Sequence, residues 1–427
     1  MSVDVKGAFY RAAEEQQDEI RAFREVLHQY PELSGQEWGT TERIGNALAS
    51  FGVAARVSAT GTGLIATIGD GDGDAILLRS DVDAMPIDEA NDVAYRSRNP
   101  GVDHACGHDV TAAGLVYGAK MLKDLHDYKG LQNPVVIVFQ PAEEVGTGAL
   151  AMIREDGVLQ NVQAAYGLHC WPRLFVGQYG TREGPAQYGH HKVEMKIYGR
   201  RSHTSRPEAG DDLVDLGSKI NRQVPRRLYR LYPDKNKRPV MVWGASHFGG
   251  DAANVTPSEG YSIGTLRAPG LEGHRNAPDE VTAIVARMAA EHPHVRATVN
   301  FSADVPPVIN TAWAKAQVET ALAAEVGRGA IKQFEGSRGA DDMAYYAHGV
   351  DGIKGASELH YTQLGVVPRG GGRRKLKAHP DLHTADFDVH PSAAMHAAVY
   401  FAAVGAAGLA GRPQRGRGID GPTRARG

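Results

Sequence analysis

An unbroken apolar run, Pro134-Val-Val-Ile-Val-Phe139, leads directly into the polar segment Gln140-Pro-Ala-Glu-Glu144. A strand that is apolar at every position, rather than at every second one, has to be covered on both of its faces. Further apolar strands are predicted at 74–84 and 164–169, and helical periodicity marks intervening segments such as 110–125. This alternation predicts an α/β fold in which helices cover both faces of a mostly parallel sheet.

Each of these strands leads into side chains that can bind metals or transfer protons. Asp81 and Asp83 are two residues apart on an extended chain, so they point to the same face. The carboxylates of Glu143 and Glu144 follow the second strand, and His169 ends the third. Open α/β sheets place their ligand sites at the carboxyl ends of the strands. We therefore expect these five side chains to meet at one edge of the sheet.

The segment His104-Ala-Cys-Gly-His-Asp109 stands just before the predicted helix Val110–Leu125. Within a helix, Cys106 and His108 would be rotated about 200° from each other, because each residue turns by about 100°. They can converge on one point only from a loop that precedes the helix. A thiolate and an imidazole in such a loop are suitable ligands for a metal ion.

These segments together offer five candidate metal ligands. They are Cys106, His108, one of the pair Glu143 and Glu144, His169, and a late histidine, either His379 or His383. Five ligands exceed the four of a tetrahedral structural zinc, whereas a bridged pair of divalent metals uses them all. Two metals acidify a water molecule and stabilise the developing oxygens, and the glutamate that binds no metal can carry the proton. The pattern therefore predicts a hydrolase.

The middle of the chain has a different organisation. Residues 188–304 are predicted as β-α-β-β-α-β, the order of a ferredoxin-like α+β domain inserted into the first domain. A chain of 427 residues is expected to form two domains. The expected division is a catalytic domain at 1–187 and 305–410, the inserted domain at 188–304, and a disordered tail at 411–427, whose composition is Gly- and Arg-rich.

Composition excludes several classes of protein. A formal net charge of −3 argues against a nucleic-acid binder or a protein of anionic membranes. Only two cysteines occur, and Cys106 lies in the proposed metal cluster, so a disulfide framework is not expected and a reducing compartment is. Cys170 is interpreted as a small buried apolar residue. Without an N-terminal apolar segment or a long apolar run, the protein is expected to be cytoplasmic and not membrane-spanning.

The ordered set of motifs resembles the dinuclear metallo-amidohydrolases of the aminoacylase/carboxypeptidase family. The resemblance is to the branch of hippurate hydrolases, N-acyl-amino-acid hydrolases and plant auxin-conjugate hydrolases. The matching stretches, in family order, are Leu27-His-Gln-Tyr-Pro-Glu-Leu33, Arg79-Ser-Asp-Val-Asp-Ala-Met-Pro86, His104-Ala-Cys-Gly-His-Asp109, Gln140-Pro-Ala-Glu-Glu144, Gly167-Leu-His169 with Trp171-Pro172, Ser202-His-Thr-Ser-Arg-Pro207, Asn254-Val-Thr-Pro257 with Gly264-Thr-Leu-Arg267, Pro307-Val-Ile-Asn310, and Leu382-His-Thr384 with Phe387.

The resemblance implies a role for each matching position. It implies that two divalent metals per subunit (Zn, Mn or Co) are held by Cys106, His108, Glu144, His169 and His383, with Cys106 bridging. Glu143 is then the general base, and Asp83 supports a metal-binding histidine. His203, Asn254 and Arg267 match positions of the inserted lid domain that bind the substrate carboxylate and the developing oxyanion. The implied substrate is an N-acyl amino acid, and the implied assembly is a homodimer paired through the inserted domain.

Two alternative functions remain open, and the sequence departs from the family pattern at two places. The same site would also suit a dipeptidase or carboxypeptidase, and a relative that binds metal without catalysis is a further alternative. Where relatives have Gly-Ser-Glu-Asp-Phe, this chain has Gly339-Ala-Asp-Asp-Met343. The basic Gly-rich segment 369–377 lengthens the chain before His383 and is interpreted as a surface loop. Finally, Asn254 and Arg267 are expected on adjacent strands, at the same edge of one sheet.

Overall fold

The computed structural model describes residues 6–70, 73–250 and 252–412. Its strands are β1 (Ala55–Val57), β2 (Leu64–Ile68), β3 (Ala75–Asp81), β4 (Val135–Gln140), β5 (Val162–Phe175), β6 (Tyr179–Thr181), β7 (Gly184–Gln187), β8 (Gly189–Tyr198), β9 (Val240–His247), β10 (Glu259–Ala268), β11 (Arg296–Val305), β12 (Val308–Asn310), β13 (Ile331–Gln333) and β14 (Glu358–Val367). Its α-helices are α1 (Ala8–Glu15), α2 (Gln17–Gln29), α3 (Trp38–Ser50), α4 (His108–Lys129), α5 (Gly148–Asp156), α6 (Leu213–Leu231), α7 (Leu271–Ala290), α8 (Ala312–Val326), α9 (Ala344–His348), α10 (Gly372–Ala378) and α11 (Ala393–Ala407).

The central sheet has eight strands in the order β1-β2-β4-β3-β5-β14-β6-β13. Its middle strands β4, β3, β5 and β14 are parallel to one another. Antiparallel pairing occurs nearer the edges, between β1 and β2, β2 and β4, and β14 and β6. The mostly parallel sheet predicted from the apolar strands is therefore confirmed.

Both faces of this sheet are buried, as the unbroken apolar runs predict. On β3, Ile76 and Leu78 belong to one apolar core, which also contains residues of α4 and α11. The intervening Leu77 belongs to a second core, which contains residues of α5 and α9. Successive side chains of a strand point to opposite faces, so an α/β sheet between two helical layers requires apolar residues at every position.

Two predicted boundaries next to the site are corrected by the structure. α4 begins at His108 rather than at residue 110, because Gly107 takes a positive φ of 81° and closes the turn that holds Cys106. The third strand does not end at His169. It continues to Phe175, because β14 runs alongside β5 until Val367 lies opposite Phe175.

The inserted segment forms its own antiparallel sheet, with the strand order β11-β8-β10-β9. The intervening helices α6 and α7 share a separate apolar core with alternate residues of β8, namely Val193, Met195 and Ile197. This is the predicted β-α-β-β-α-β order. The chain enters the insertion after β7 and leaves it before β12, and these two strands pair with each other.

The basic Gly-rich segment 369–377 is interpreted from the sequence as a surface loop. In the structure most of it belongs to the short helix α10. Most of the predicted tail, 413–427, lies outside the described residues. At its start, Arg412 Nη2 donates a hydrogen bond to Ser357 Oγ at 2.7 Å. Among the described helices, none is both long and apolar enough to cross a membrane.

The helices α4 and α11 approach each other closely at a glycine of α4. A Cβ added to Gly114 would lie 2.3 Å from Ala397 Cβ, a distance that real Cβ contacts do not reach. Gly45, inside α3, is a matched comparison, because a Cβ there would meet Leu64 at an ordinary 3.7 Å. The close contact therefore requires glycine at 114 and not at 45.

We predict that Gly114→Ala lowers the free energy of unfolding by about 1–3 kcal/mol, the usual cost of overpacking. Gly45→Ala should be neutral or should stabilise by up to about 1 kcal/mol, since alanine favours helix more than glycine does. Urea unfolding of both variants measures the difference. Equal effects of the two substitutions would show that the helix contact does not restrict residue 114.

Candidate metal centre

The turn before α4 brings a cysteine next to a strand histidine. Cys106 Sγ lies 3.4 Å from His169 Nε2, and both side chains are buried. His169 Nδ1 is 2.7 Å from the Cys170 carbonyl, which it can reach only as a donor. This bond leaves the lone pair of Nε2 free to face Cys106. A metal-binding histidine is commonly oriented in this way, by a hydrogen bond from its other ring nitrogen.

His108 is held by the backbone and side chain of Asp83. Its Nδ1 lies 2.9 Å from the Asp83 carbonyl and 3.3 Å from the Asp83 carboxylate. The Nε2 atom is directed toward Asp81, at 3.5 Å, and Glu144, at 3.8 Å, and has no hydrogen-bond partner in the described part of the chain. Asp83 also accepts a bond from the Glu144 backbone N–H at 2.9 Å. It thereby contacts two of the candidate ligands.

The late histidine that joins this group is His383 rather than its rival. His383 Nε2 lies 3.6 Å from Glu144 Oε1, and its backbone N–H donates to the Ala105 carbonyl at 2.9 Å. His383 has a positive φ of 63°, an unusual conformation for a residue other than glycine that is found at functional sites. The His379 ring instead contacts the Pro380 carbonyl.

The charges of this group fit a divalent cation. Burial raises the pKa of the Cys106 thiol well above its usual range, and the nearby Glu144 and Glu143 carboxylates raise it further. Burial likewise raises the pKa of Glu144 to about 7. Among the residues that the structure describes, none forms a hydrogen bond with the buried Glu144 Oε1 or His108 Nε2 atom. Metal binding replaces the protons on such groups, so the donor set suits a metal.

Glu143 lies beside this group and shares its cleft. One carboxylate oxygen of Glu143 is within 4.8 Å of donor atoms of Asp81 and His108. Burial, followed by the charges of Asp341 and Glu144, raises the pKa of Glu143 well above its ordinary value. A carboxylate with a raised pKa is a better proton acceptor than an ordinary glutamate.

An open cleft of about 930 Å³ connects the candidate metal centre to the inserted domain. Its walls contain Cys106, Glu143, Glu144, His169 and His383, and on another side Arg267. Arg267 Nη1 donates to the Arg338 carbonyl at 2.9 Å. Within the described residues, Arg267 forms no ion pair with a carboxylate.

His203 and Asn254, the other two residues predicted from the inserted domain, lie away from this cleft. Asn254 is expected at the same edge of the sheet as Arg267, and this expectation is wrong. Asn254 is in the loop before β10 and Arg267 is near the end of that strand, so they are at opposite ends of the sheet. The eight residue-to-residue steps from Glu259 to Arg267 span about 27 Å. His203 pairs with Val255 at the Asn254 end and is exposed. Among the described residues, the cleft is lined by neither His203 nor Asn254.

The sequence of residues 77–398 matches the family described as Peptidase family M20/M25/M40. The chain belongs to this family. The predicted resemblance to metallo-amidohydrolases of the aminoacylase/carboxypeptidase family is thereby confirmed.

Individual relatives extend the comparison. An IAA-amino acid hydrolase (ILR1-like 2) of Arabidopsis thaliana is 31% identical over 380 residues, which cover 88% of this chain and 83% of that protein. An N-acetyl-L-cysteine deacetylase of Bacillus subtilis is 32% identical over 342 residues, which cover 78% of this chain and 79% of that protein. A Rhodococcus jostii protein named for glutamate–cysteine ligase is 31% identical over 374 residues, and this chain spans only 45% of its length.

A solved structure resembles this M20-family chain over nearly its whole length. It is a dinuclear metal-binding peptidase of the family from Bacillus subtilis, with 26% sequence identity and a TM-score of 0.77. The superposition covers 92% of this chain and 98% of that one. The binding of two metal ions is thus a property of a related protein that has this fold.

Sequence reasoning missed one buried residue beneath the centre, Arg79. Its guanidinium, fully buried, donates to Asp81 at 2.8 Å, Asp342 at 2.8 Å and Gln140 at 2.9 Å. Asp341, also from the divergent segment 339–343, lies 3.4 Å from Arg79 and accepts a hydrogen bond from the Tyr361 hydroxyl. A charged residue directly after the apolar run Ile76-Leu-Leu78, within a buried strand, was the available signal.

We predict that Asp83→Ala weakens metal binding by about 10- to 100-fold, the usual loss when a group that orients a ligand is removed. Ser34→Ala is the matched control, because Ser34 Oγ only donates to Asp83 at 2.7 Å and leaves the His108 contact intact. Competition with a chromogenic chelator measures both affinities. Unchanged affinity in a folded Asp83→Ala protein would show that Asp83 does not orient His108.

Proposed function

We propose that this protein hydrolyses the amide bond of N-acyl amino acids in a metal-dependent reaction. The observation that carries the proposal is the single cleft lined by four of the metal donors (Cys106, Glu144, His169 and His383), by Glu143 and by Arg267, whose guanidinium forms no ion pair among the described residues. A substrate whose amide lies near the metal donors would direct its free amino-acid carboxylate toward the Arg267 guanidinium. The names of the plant and bacterial relatives, an amino-acid-conjugate hydrolase and an N-acetyl-amino-acid deacetylase, support the same substrate class.

Cys106, His108, Glu144, His169 and His383 would hold two divalent ions, Zn, Mn or Co. When bound, such ions acidify water and stabilise negative charge on oxygen. Imidazole and thiolate groups suit zinc, and the carboxylate also accepts manganese or cobalt. Asp83 keeps His108 in the orientation that leaves Nε2 free for an ion.

Glu143 is the general base of the proposed reaction. Its carboxylate takes a proton from the attacking water and returns it to the leaving amine nitrogen, which departs as a neutral amine. The preceding residue, Ala142, has a positive φ of 53°, and the Ala142 N–H donates to Glu37 at 2.9 Å. The buried Glu37 carboxylate holds this strained turn in place. The turn directly precedes Glu143 and Glu144, the adjacent glutamates to which different roles are assigned.

We predict that Glu143→Gln retains its metal and loses at least about 10²-fold in kcat, the usual contribution of a general base. Glu144→Gln should instead lose metal, because an amide is a poor substitute for a carboxylate ligand. Metal analysis and kcat of both variants test the assignment. The reverse pattern would mean that the roles of the two residues are exchanged.

Arg267 is proposed to bind the carboxylate of the amino-acid part of the substrate. A guanidinium can grip a carboxylate with two parallel hydrogen bonds, which an ammonium group cannot reproduce. Burial lowers the pKa of Arg267 from its ordinary value, and among the described residues its guanidinium donates one hydrogen bond, to the neutral Arg338 carbonyl. The partly buried positive charge therefore lacks an anionic partner until a substrate supplies one.

We predict that Arg267→Lys lowers kcat/KM for N-acyl amino acids by about 10- to 150-fold, equivalent to one charge-assisted interaction. The corresponding N-acyl amino-acid amides, which lack the carboxylate, should be much less affected. Steady-state kinetics on matched acid and amide substrates measures the two losses. Equal losses on both would make Arg267 a structural residue.

His203 and Asn254 are proposed to act across a homodimer. Within one chain they lie at the end of the inserted sheet remote from Arg267, so a second subunit paired through the inserted domains has to bring them to the cleft. In a two-fold dimer each subunit makes this contribution to the other. His203 of the partner subunit would then stabilise the oxyanion that forms from the amide carbonyl.

Subunit mixing tests this arrangement. We predict that His203→Ala and Glu143→Gln proteins, each nearly inactive alone, regain measurable activity when they are co-expressed with different tags and the mixed dimers are purified. One cleft of a mixed dimer then has both native groups. A monomer in sedimentation velocity, or mixed dimers that remain inactive, would contradict a role for His203 in the neighbouring subunit.

A substrate panel tests the proposed function itself. With a defined divalent metal added, N-acyl amino acids are expected to be hydrolysed with higher kcat/KM than free dipeptides. A preference for dipeptides would make the protein a dipeptidase that uses the same centre. No hydrolysis of either class by a metal-loaded, folded protein would overturn the proposal.

We also propose a cytoplasmic location. Both cysteines are buried free thiols. Cys106 can serve as a ligand only while it is reduced, which a cytosolic redox environment maintains. Cys170 is 1% exposed and its Sγ donates to the Gly107 carbonyl at 3.4 Å, in the turn that positions Cys106.

A further inference from the structure

A second buried cluster of ionisable side chains lies near the turn that holds Cys106 but is separate from the cleft. Its members are His28 near the end of α2, Glu89 in the segment after β3, and Asp103, three residues before Cys106. Their exposed fractions are 2%, 5% and 0%. Three ionisable groups this deeply buried need partners that compensate their lost hydration.

The spacing around the His28 ring differs on its two sides. Nδ1 lies 2.9 Å from Asp109 Oδ2, an ordinary charge-assisted hydrogen bond. Nε2 lies 3.4 Å from Glu89 Oε1 and 3.5 Å from Asp103 Oδ1. These two distances are too long for strong hydrogen bonds. They equal the separation of about 3.4 Å between ligands that are each about 2.1 Å from a tetrahedral ion.

Asp103 provides an independent observation. Both of its carboxylate oxygens are buried, and neither has a hydrogen-bond partner among the described residues. Burial raises the pKa of Asp103 to about 7; the His28 ring and the His104 backbone N–H oppose this rise, and the nearby Glu89 and Asp109 carboxylates add to it. Oδ1 is directed toward His28 Nε2. A buried carboxylate with two unsatisfied oxygens is strongly destabilising unless a cation compensates it.

Several neighbouring atoms already have partners, and each of the three side chains keeps at least one donor atom for an ion: His28 Nε2, Glu89 Oε1 and Asp103 Oδ1. Asp109 accepts from His28 Nδ1 and forms an ion pair with Arg24 Nε at 2.6 Å. The Oε2 atom of Glu89 accepts the Ser97 backbone N–H at 2.7 Å, which leaves Oε1. An imidazole oriented by a carboxylate is a common arrangement in metal sites, because it fixes the ring and raises its basicity.

We propose that His28, Glu89 and Asp103 bind a divalent metal ion at a site separate from the centre in the cleft. One imidazole and two carboxylates suit Zn²⁺. The three ligands come from α2, the segment after β3 and the segment before Cys106, so the ion would join three parts of the chain behind the turn of Cys106 and His108. The site is buried, which predicts a structural ion that exchanges slowly rather than a catalytic one.

Metal analysis of the full-length protein tests this proposal. After saturation with Zn²⁺ and removal of loosely bound ions, we expect three zinc ions per subunit by mass spectrometry. An anomalous difference map collected at the zinc edge from a crystal should show a peak between His28, Glu89 and Asp103. Two ions per subunit, with no peak at this cluster, would overturn the proposal and would mean that protons satisfy these side chains.

Two substitutions sharpen the result. Glu89→Gln and Asp103→Asn should each reduce the zinc content from three to two per subunit while the ions in the cleft remain. Asp88→Asn is the matched control, because Asp88 is the exposed neighbour of Glu89 and should keep three ions. A folded Asp103→Asn protein that retains all three ions would also overturn the proposal. If that variant does not fold, the anomalous map of the wild-type protein decides.

Discussion

The organisation of this protein depends on a concentration of negative charge at the carboxyl edge of a buried sheet. Asp81, Asp341 and Asp342 surround the fully buried guanidinium of Arg79 below the candidate metal centre, and the metal donors lie next to them. Arg79 therefore joins β3 to a segment that follows the inserted domain. Since removal of one partner from a buried ion pair leaves an uncompensated charge, this contact fixes the two halves of the catalytic region relative to each other.

Much of the centre could be predicted from the sequence because its donors follow features with a strong local signal. The apolar strands predict where the sheet is, and Glu143 and Glu144 come directly after one of them. Cys106 precedes, and His108 begins, a helix whose start depends on the positive φ of Gly107. In each case the position of the side chain follows from a neighbouring regular element.

Other parts depend on contacts between distant segments, which periodicity does not reveal. His383 lies in an irregular segment and reaches the centre through a backbone hydrogen bond to Ala105. One partner of Arg79, Asp342, is 263 residues away along the chain. The separation of Asn254 from Arg267 follows from the length of β10, and a spacing of residues along the chain does not specify which end of a strand each of them occupies.

The proposed hydrolysis depends on the activation of water by a bound divalent metal. The rate of hydrolysis of an N-acyl amino acid is followed in protein depleted of metal and then titrated with Zn, Mn or Co. We expect depletion to abolish the activity and at least one of these ions to restore it, because water alone is too weak a nucleophile for an amide. Undiminished activity in a fully depleted sample would contradict the account.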